Sequence, residues 1–198
     1  MMLKGNKLNS ICKLVDGEIV GDSSAIVNRL SIDSRNHLST KQTLFIALMG
    51  KNRDGHDFIS DAYNKGVRNF LVQTNHADDY PKANFIVVKD TLLALQKWAK
   101  NHRAKFNIPV IAITGSNGKT IVKEWLYYFL KSKYNISRSP KSYNSQIGVP
   151  LSLLMINENH DLAIIEAGIS KPGEMTILKE IINPTHSILT SVGSAHIE

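Results

Sequence analysis

Hydrophobic residues along the chain follow two alternating spacings, and each change of spacing marks a predicted element. Short continuous apolar runs predict buried strands, while apolar residues three and four positions apart predict helices. In the first ninety residues, the pattern predicts helices over residues 7–15 and 56–65 and strands over 30–32, 43–48, 70–73 and 85–89. Asp90 then begins a predicted helix to about residue 106, and Pro109 ends this part of the chain.

From residue 110 the chain alternates regularly between strands and helices. The predicted elements are strands at Val110–Thr114, 162–167 and 187–192, and helices at 119–132 and Glu174–Ile182. Continuous apolar strands separated by helices are typical of a parallel sheet covered on both faces. The buried face of helix 119–132 is predicted to comprise Ile121, Val122, Trp125, Leu126, Phe129 and Leu130.

The sequence therefore predicts the α/β class with two domains. A small α/β domain is expected over residues 1–89, and a parallel-sheet domain over residues 90–198. The second domain has few strands for a complete doubly wound sheet, and the sequence stops soon after a strand. We expect this domain to be incomplete and the chain to be part of a longer protein.

Composition excludes several classes of protein. Among the 198 residues, 42% are hydrophobic and 21% are charged, which does not fit a disordered, collagen-like or coiled-coil protein. Cys12 is the only cysteine, so no intramolecular disulfide can form. No apolar run approaches the ~20 residues of a membrane helix, and the first residues lack a signal-peptide block. A cytoplasmic protein without membrane insertion is expected.

Positive charge is concentrated in one stretch of the chain. The net charge is +7, and between Lys97 and Lys141 there are ten Lys or Arg residues and one acid, Glu124. Such an excess indicates an anionic partner. A polyphosphate ligand and a nucleic-acid surface both remain open at this point.

The sequence VIAITGSNGKT at residues 110–120 joins an apolar strand, a glycine-rich turn and a helix. Gly115 and Gly118 allow the backbone to turn its amides around a phosphate, and the helix N-terminus adds unsatisfied donors. Lys119 is placed to reach the phosphates, and the Thr120 hydroxyl to bind Mg²⁺. The predicted nucleotide-binding residues are Gly115, Ser116, Asn117, Gly118, Lys119 and Thr120.

This loop departs from the general phosphate-binding pattern, which has glycine at the position of Ile113. An ordinary glycine-rich turn is therefore the alternative. Even a phosphate-binding loop does not by itself distinguish a kinase, a hydrolase, a ligase and a motor.

Further motifs resemble the Mur ligase family, and most closely its MurF type. They are TGSNGKT at 114–120, SYNSQIGVPLSLL at 142–154, IIEAGISKPGEM at 164–175 and SVGSAHIE at 191–198, with SIDSR at 31–35 and the stretch 44–66 in the first domain. The sequence departs from the family at Ile121, where many members have Thr or Ser, and at 169–171, where Ile-Ser-Lys replaces Ala-Asn-His.

The resemblance implies a three-domain, ATP- and Mg²⁺-dependent ligase of peptidoglycan synthesis. Such an enzyme adds D-alanyl-D-alanine to UDP-N-acetylmuramoyl-tripeptide through an acyl phosphate. The first domain would bind the UDP-muramoyl peptide, and the second would be the first part of the ATP-binding domain. The chain alone is expected to be inactive, because it ends before the domain that receives D-alanyl-D-alanine.

By resemblance, Lys119, Glu166 and His196 are the catalytic residues. Thr120 and Glu166 would bind Mg²⁺, a hard cation that the Glu166 carboxylate suits, and His196 would be a ligand of a second Mg²⁺. Glu166 ends the apolar strand LAIIE, where α/β sheets present groups to ligands. The alternatives are a capping or surface glutamate and, for His196, a surface group near the end of the sequence.

By resemblance, the UDP-muramoyl peptide would contact a second set of residues, namely Ser34, Arg35, Asp54, Gly55, His56, Asn144 and Ser145. Arg35 offers paired donors suited to phosphate. Asparagine also forms turns, and an Asp-Gly pair also caps helices, so structural roles remain open for Asn144 and Asp54. Lys123 and Glu124 are expected to be mainly solvated.

Three other functions remain open as alternatives. They are a MurE-like ligase, a nucleic-acid-binding module and a small-molecule kinase with a phosphate loop. The absence of an aromatic and basic platform argues against nucleic acid as a partner. The sequence does not indicate an oligomeric state.

Overall fold

The computed structural model describes residues 2–35, 41–50 and 53–193. These residues divide into two compact units, Met1–Trp98 and Ala99–Glu198. The division falls within helix α3 (Thr91–Arg103), whereas the sequence placed the boundary before this helix, near residue 89. The assignment of a separate function to each unit stays a prediction.

The first unit is built on a six-stranded sheet in the order β1-β3-β4-β5-β6-β2. Its strands are β1 (Met2–Lys7), β2 (Glu18–Val20), β3 (Ile26–Ser31), β4 (Thr43–Ile46), β5 (Asn69–Val72) and β6 (Asn84–Val87). Strands β3 to β6 are parallel, and β1 and β2 are antiparallel to their neighbours at the two edges. The helices are α1 (Leu8–Val15), a short 3₁₀ turn (Gly55–Phe58), α2 (Ile59–Asn64) and the start of α3. The edge strands β1 and β2 were not predicted.

Three phenylalanines in register form the centre of the first unit's core. Phe45, Phe70 and Phe85 are paired partners on β4, β5 and β6, and each is essentially fully buried. The rings of Phe45 and Phe70 meet edge to face at 6.1 Å, and those of Phe70 and Phe85 stack at 5.3 Å. In the observed register of β4, β5 and β6, the three rings therefore form one continuous ladder.

The second unit contains a four-stranded sheet in the order β10-β7-β9-β8, and every pair in it is parallel. Its strands are β7 (Val110–Thr114), β8 (Ile136–Arg138), β9 (Leu162–Glu166) and β10 (His186–Leu189), and its helices are α4 (Lys119–Leu130), α5 (Gly148–Leu153) and α6 (Glu174–Ile182). The predicted α/β class with a parallel sheet is confirmed. Strand β8 and helix α5 were not predicted.

The predicted buried face of α4 is half wrong. Val122, Leu126 and Leu130 pack against a buried cluster of the β7–β9 sheet, as expected. In contrast, Ile121, Trp125 and Phe129 are 57%, 63% and 69% exposed, and neighbouring Tyr128 is also exposed. Apolar side chains occur on two sides of this helix, so spacing alone could not identify the side that meets the sheet.

Within the residues that the structure describes, no helix is both long and apolar enough to cross a membrane.

We expect the substitution Phe70→Ala to destabilise the first unit by about 3–5 kcal/mol, because it removes the middle ring of the ladder and leaves a cavity. The chain has two tryptophans, and Trp98 is the buried one. In a Trp125→Phe background, denaturant unfolding followed by Trp98 fluorescence measures this loss. The exposed Leu93→Ala is the control, and a loss below about 1 kcal/mol for Phe70→Ala would contradict the ladder's role.

Candidate functional site

Two positions in the loop between β7 and α4 have a backbone conformation that requires glycine. Gly115 has φ +135°, and a Cβ built on it would lie 2.2 Å from Thr190 Oγ1. Gly118 has φ +83°, with no atom nearer than 3.8 Å to the added Cβ. Glycine is thus required at 115 by both dihedral angle and space, and at 118 by the dihedral angle alone.

Lys119 is the first residue of α4, so the amides at the start of this helix have no preceding helical turn to bond to. The Lys119 side chain folds back over the loop, and its Nζ donates to the carbonyls of Gly115 at 2.6 Å and Ser116 at 3.3 Å. An ammonium and free helical amides therefore converge at one point. This arrangement suits an anion such as a phosphate.

The segment after β10 is hydrogen-bonded to the loop between β7 and α4. The Ser116 amide donates to the Ser191 carbonyl at 3.0 Å, and the Asn117 amide donates to Ser191 Oγ at 3.0 Å. Ser116 Oγ also donates to the Gly193 carbonyl at 2.8 Å. The amides of Ser116 and Asn117 thus stabilise the loop itself. His196 follows this segment but lies outside the described residues.

Glu166 ends β9, and the parallel register places it opposite Ile113, one residue before the end of β7. Its side chain is 1% exposed. Thr120 Oγ1 lies 3.1 and 3.0 Å from its two carboxylate oxygens, and Asn144 Nδ2 donates to Oε1 at 2.8 Å. Glu166, Thr120 and Asn144, predicted separately, therefore meet at the carboxyl edge of the sheet.

Lys123 is a residue of this site that the sequence analysis missed. The expectation that it is solvated is wrong, since its side chain is fully buried and its Nζ lies 3.3 Å from Glu166 Oε2. Its Nζ also donates to the carbonyl of Lys141. Glu124 is exposed and pairs with Arg138. One signal was available, because residues 120 and 123 are three apart and share a helix face.

Residues 140–147 form a loop beside Glu166 that we call the acceptor loop. The Gly168 amide donates to the Asn144 carbonyl at 2.8 Å. Asn144 is therefore bound to the end of β9 through its side chain and to the residues just after β9 through its backbone. Ser145 Oγ instead accepts from the amide of Gly148 at 3.2 Å, at the start of α5. Asn144 therefore faces the carboxylate, while Ser145 accepts from the first amide of α5.

The oxygens of Thr120 and Glu166 fit a divalent cation of the size of Mg²⁺. Their separations of 3.0 and 3.1 Å match the edge of about 3 Å between adjacent oxygens in an octahedral Mg²⁺ site. Among the described residues, no group of three or more His, Cys, Asp or Glu side chains is arranged to hold a metal ion. Mg²⁺ commonly binds through one or two protein oxygens, with waters and phosphates completing its shell.

In the first unit, Arg35 is already paired with a carboxylate. Its Nε and Nη2 donate to the two oxygens of Asp33 at 2.9 and 2.8 Å. These hydrogen bonds lower the pKa of Asp33 to about 2. Ser34 is buried, and its carbonyl accepts from Lys65 Nζ at 2.8 Å.

Asp54 and His56 form a connected turn after β4. Asp54 Oδ1 accepts from the His56 amide at 2.9 Å and from its Nδ1 at 2.6 Å, and these bonds lower the pKa of Asp54. His56 Nε2 accepts from the Gln73 amide at 3.0 Å, just beyond β5. Both ring nitrogens are therefore engaged, with the proton on Nδ1. A Cβ on Gly55 would lie 2.5 Å from the Leu48 amide nitrogen. These contacts give Asp54, Gly55 and His56 a structural role, and their contact with substrate stays a prediction.

Two family models match the chain. The Mur ligase family catalytic domain matches residues 27–103, and the Mur ligase middle domain matches residues 113–198. Among curated relatives, the UDP-N-acetylmuramoyl-tripeptide–D-alanyl-D-alanine ligase of Bacillus subtilis is 31% identical over 96% of this chain and 42% of its own length. The enzyme of the same name from Treponema pallidum is 36% identical over 96% of this chain and 43% of its own length.

Solved structures give the same result. MurF from Acinetobacter baumannii matches with a TM-score of 0.91 and 26% identity, over 100% of this chain and 43% of its own. MurF ligase from Thermotoga maritima in complex with ADP matches with a TM-score of 0.74 and 32% identity, over 86% of this chain and 39% of its own. The chain thus spans somewhat less than half the length of these relatives.

We expect Arg35→Met to raise the pKa of Asp33 from about 2 toward its ordinary value of about 3.9, because the guanidinium donors stabilise the carboxylate. In the unmodified chain, this stabilisation is present above the unfolded pKa and is lost as pH falls through about 2. A carbon-13 NMR titration of the Asp33 carboxyl measures both values. The exposed Arg53→Met serves as the control, and equal midpoints in both variants would contradict the pairing.

Proposed function

Because this chain belongs to the Mur ligase family, we propose that it functions in an ATP-dependent ligase that adds D-alanyl-D-alanine to a UDP-N-acetylmuramoyl tripeptide. One observation carries the proposal: Glu166, at the end of β9, is oriented by Thr120, directly after the phosphate loop, and by Asn144 of the acceptor loop. A nucleotide phosphate, a metal and an acceptor can therefore meet at one edge of the sheet.

Joining a carboxylate to an amine requires activation of the carboxylate. In the proposed reaction, a carboxylate oxygen of the tripeptide attacks the γ-phosphorus of ATP, and ADP leaves as the acyl phosphate forms. The amine of D-alanyl-D-alanine then attacks the acyl carbon, phosphate leaves with the carbon–oxygen bond electrons, and the amine loses its proton. Both steps accumulate negative charge, so cations and amides fixed in advance lower their barriers.

The residues of the second unit have distinct parts in this proposal. Lys119 and the amides at the start of α4 bind the β- and γ-phosphates, and Lys119 exchanges its loop carbonyls for phosphate oxygens. Thr120 and Glu166 would hold Mg²⁺, and His196 would be a ligand of a second Mg²⁺. Mg²⁺, when bound, would supply positive charge that offsets the negative charge of the phosphates. Asn144 positions the acceptor near Glu166, and Ser145 fixes the loop that carries Asn144.

The first unit is proposed to bind the UDP-muramoyl part of the acceptor. Ser34 and Arg35 follow β3. Asp54, Gly55 and His56 follow β4, and His56 bonds to the Gln73 amide just after β5. Because β3, β4 and β5 are adjacent and parallel, these residues share one sheet edge. Arg35 would exchange Asp33 for a diphosphate oxygen on binding. Nucleotide substrates are consistent with action in the cytoplasm.

A nucleic-acid surface receives less support from the basic stretch. Lys97 pairs with Asp16, and Lys100 pairs with Glu180. Arg103 is buried and donates to the carbonyls of Phe106 and Ile182. Lys123 is buried as well, so Arg103 and Lys123 serve the fold, while Lys97 and Lys100 each already have a carboxylate partner.

A binding experiment on the chain itself tests the acceptor part of the proposal. We expect UDP-N-acetylmuramoyl tripeptide to bind at least tenfold more tightly than UDP-N-acetylglucosamine, measured by calorimetry at fixed Mg²⁺ and salt. Equal affinities would show that the chain does not recognise the muramoyl peptide. Loss of all binding to UDP compounds would contradict the assignment of the first unit.

For the catalytic part, we expect phosphate release by the complete open reading frame that contains this sequence to require both the tripeptide and D-alanyl-D-alanine. Lys119→Met and Glu166→Gln should each lower kcat by about 10²–10³-fold, because the first removes a cation that stabilises the anionic transition state and the second weakens the proposed hold on Mg²⁺. Exposed Lys133→Met is the matched control. Phosphorylated tripeptide without amide product would identify a kinase.

A further inference from the structure

The ammonium of Lys123 occupies a closed position between two parts of the candidate site. Its side chain has no solvent exposure, its Nζ lies 3.3 Å from Glu166 Oε2, and it donates to the backbone carbonyl of Lys141. Glu124 Oε1 lies 3.5 Å away and is half exposed. Removing a lysine charge from water costs several kcal/mol unless partners replace the water. The burial of Lys123 therefore sets it apart from an ordinary surface lysine and indicates a specific role.

The carbonyl that Lys123 binds belongs to a residue with an unusual backbone. Lys141 has φ +48°, in the left-handed region that a residue with a Cβ rarely adopts. This conformation costs roughly 1–2 kcal/mol, so the surrounding contacts must hold it. The left-handed residue lies at the start of the acceptor loop, three positions before Asn144, and directs the chain toward Glu166.

Other contacts attach the acceptor loop to β9, one just before the loop and two within it. Before the loop, Ser139 Oγ accepts from the Glu166 amide at 3.1 Å. Within the loop, Asn144 bonds to Glu166 and Gly168. Lys123 contributes the attachment from helix α4, and it binds the same carboxylate as Asn144. The loop, the carboxylate and the helix are thus joined through one ammonium.

We propose that Lys123 is a positioning residue that fixes the acceptor loop to Glu166 by bridging the Glu166 carboxylate and the Lys141 carbonyl. Through this bridge, the metal-binding carboxylate and the Asn144 side chain keep one relative position. The meaning of that position for catalysis rests on the proposed function, whereas the bridge itself is a property of the chain. The carboxylate's oxygens remain beside Thr120, where the cation would bind.

Hydrogen exchange of the chain, followed by NMR, tests the bridge without substrate. In Lys123→Met, we expect the amides of Tyr143 and Asn144, which are hydrogen-bonded within the loop, to exchange at least tenfold faster. This variant also leaves the Glu166 charge buried and unpaired, which by itself destabilises the unit. The double variant Lys123→Met/Glu166→Gln removes both charges and separates the two effects.

In the double variant, we expect the melting temperature to recover toward that of the unmodified chain while the loop amides still exchange fast, because the Lys141 carbonyl has lost its donor. The β9 amides should exchange at their original rate. Exposed Lys133→Met should change neither quantity. If the loop amides of the double variant return to their original rate, Lys123 serves only to balance Glu166, and the proposal is overturned.

A measurement on the unmodified chain covers the case in which the variants do not fold. A buried, hydrogen-bonded ammonium exchanges its protons slowly, so Lys123 should give a nitrogen-15 Nζ signal distinct from the averaged signal of the surface lysines. Absence of such a signal overturns the bridge. Because none of these measurements uses a nucleotide or a peptide, the bridge can survive failure of the proposed function, and the reverse also holds.

Discussion

The arrangement of the second unit around its candidate site depends on one carboxylate, which is buried at the end of a strand. A buried carboxylate is stable only when hydrogen-bond donors surround it. Glu166 receives those donors from three different segments, namely Thr120 after the phosphate loop, Lys123 one turn further along α4, and Asn144 in the acceptor loop. The segments cannot be arranged independently. Folding of this part of the chain and assembly of the candidate site are therefore one process.

The same logic applies on a smaller scale in the first unit. The ladder of Phe45, Phe70 and Phe85 spans β4, β5 and β6, and β3 pairs in parallel with β4, so that the polar turns after β3 and β4 lie at one edge. His56 then ties its turn to the end of β5 through the Gln73 amide. In both units, hydrophobic packing within the sheet positions polar groups at the carboxyl ends of the strands, where α/β proteins bind ligands.

Sequence patterns identified the elements whose signals are local. The bounds of β7 and α6 agree with the prediction, because a continuous apolar run and a regular helical spacing define them. Strand β8 was missed because it is only three residues long and only one of them, Ile136, is strongly apolar. The burial of Lys123 was missed because it depends on partners 18 and 43 positions later, Lys141 and Glu166. Motif order located Glu166 and Asn144, but only the fold shows that they touch.

Helix α4 carries a second consequence on the side away from the sheet. Ile121, Trp125, Tyr128 and Phe129 are exposed and follow a helical spacing, so they form one apolar strip on the surface. Surfaces of this kind adhere to one another, and salts such as sulfate strengthen that attraction. Concentrated preparations should accordingly stay clearest in buffers of low ionic strength that avoid sulfate and phosphate.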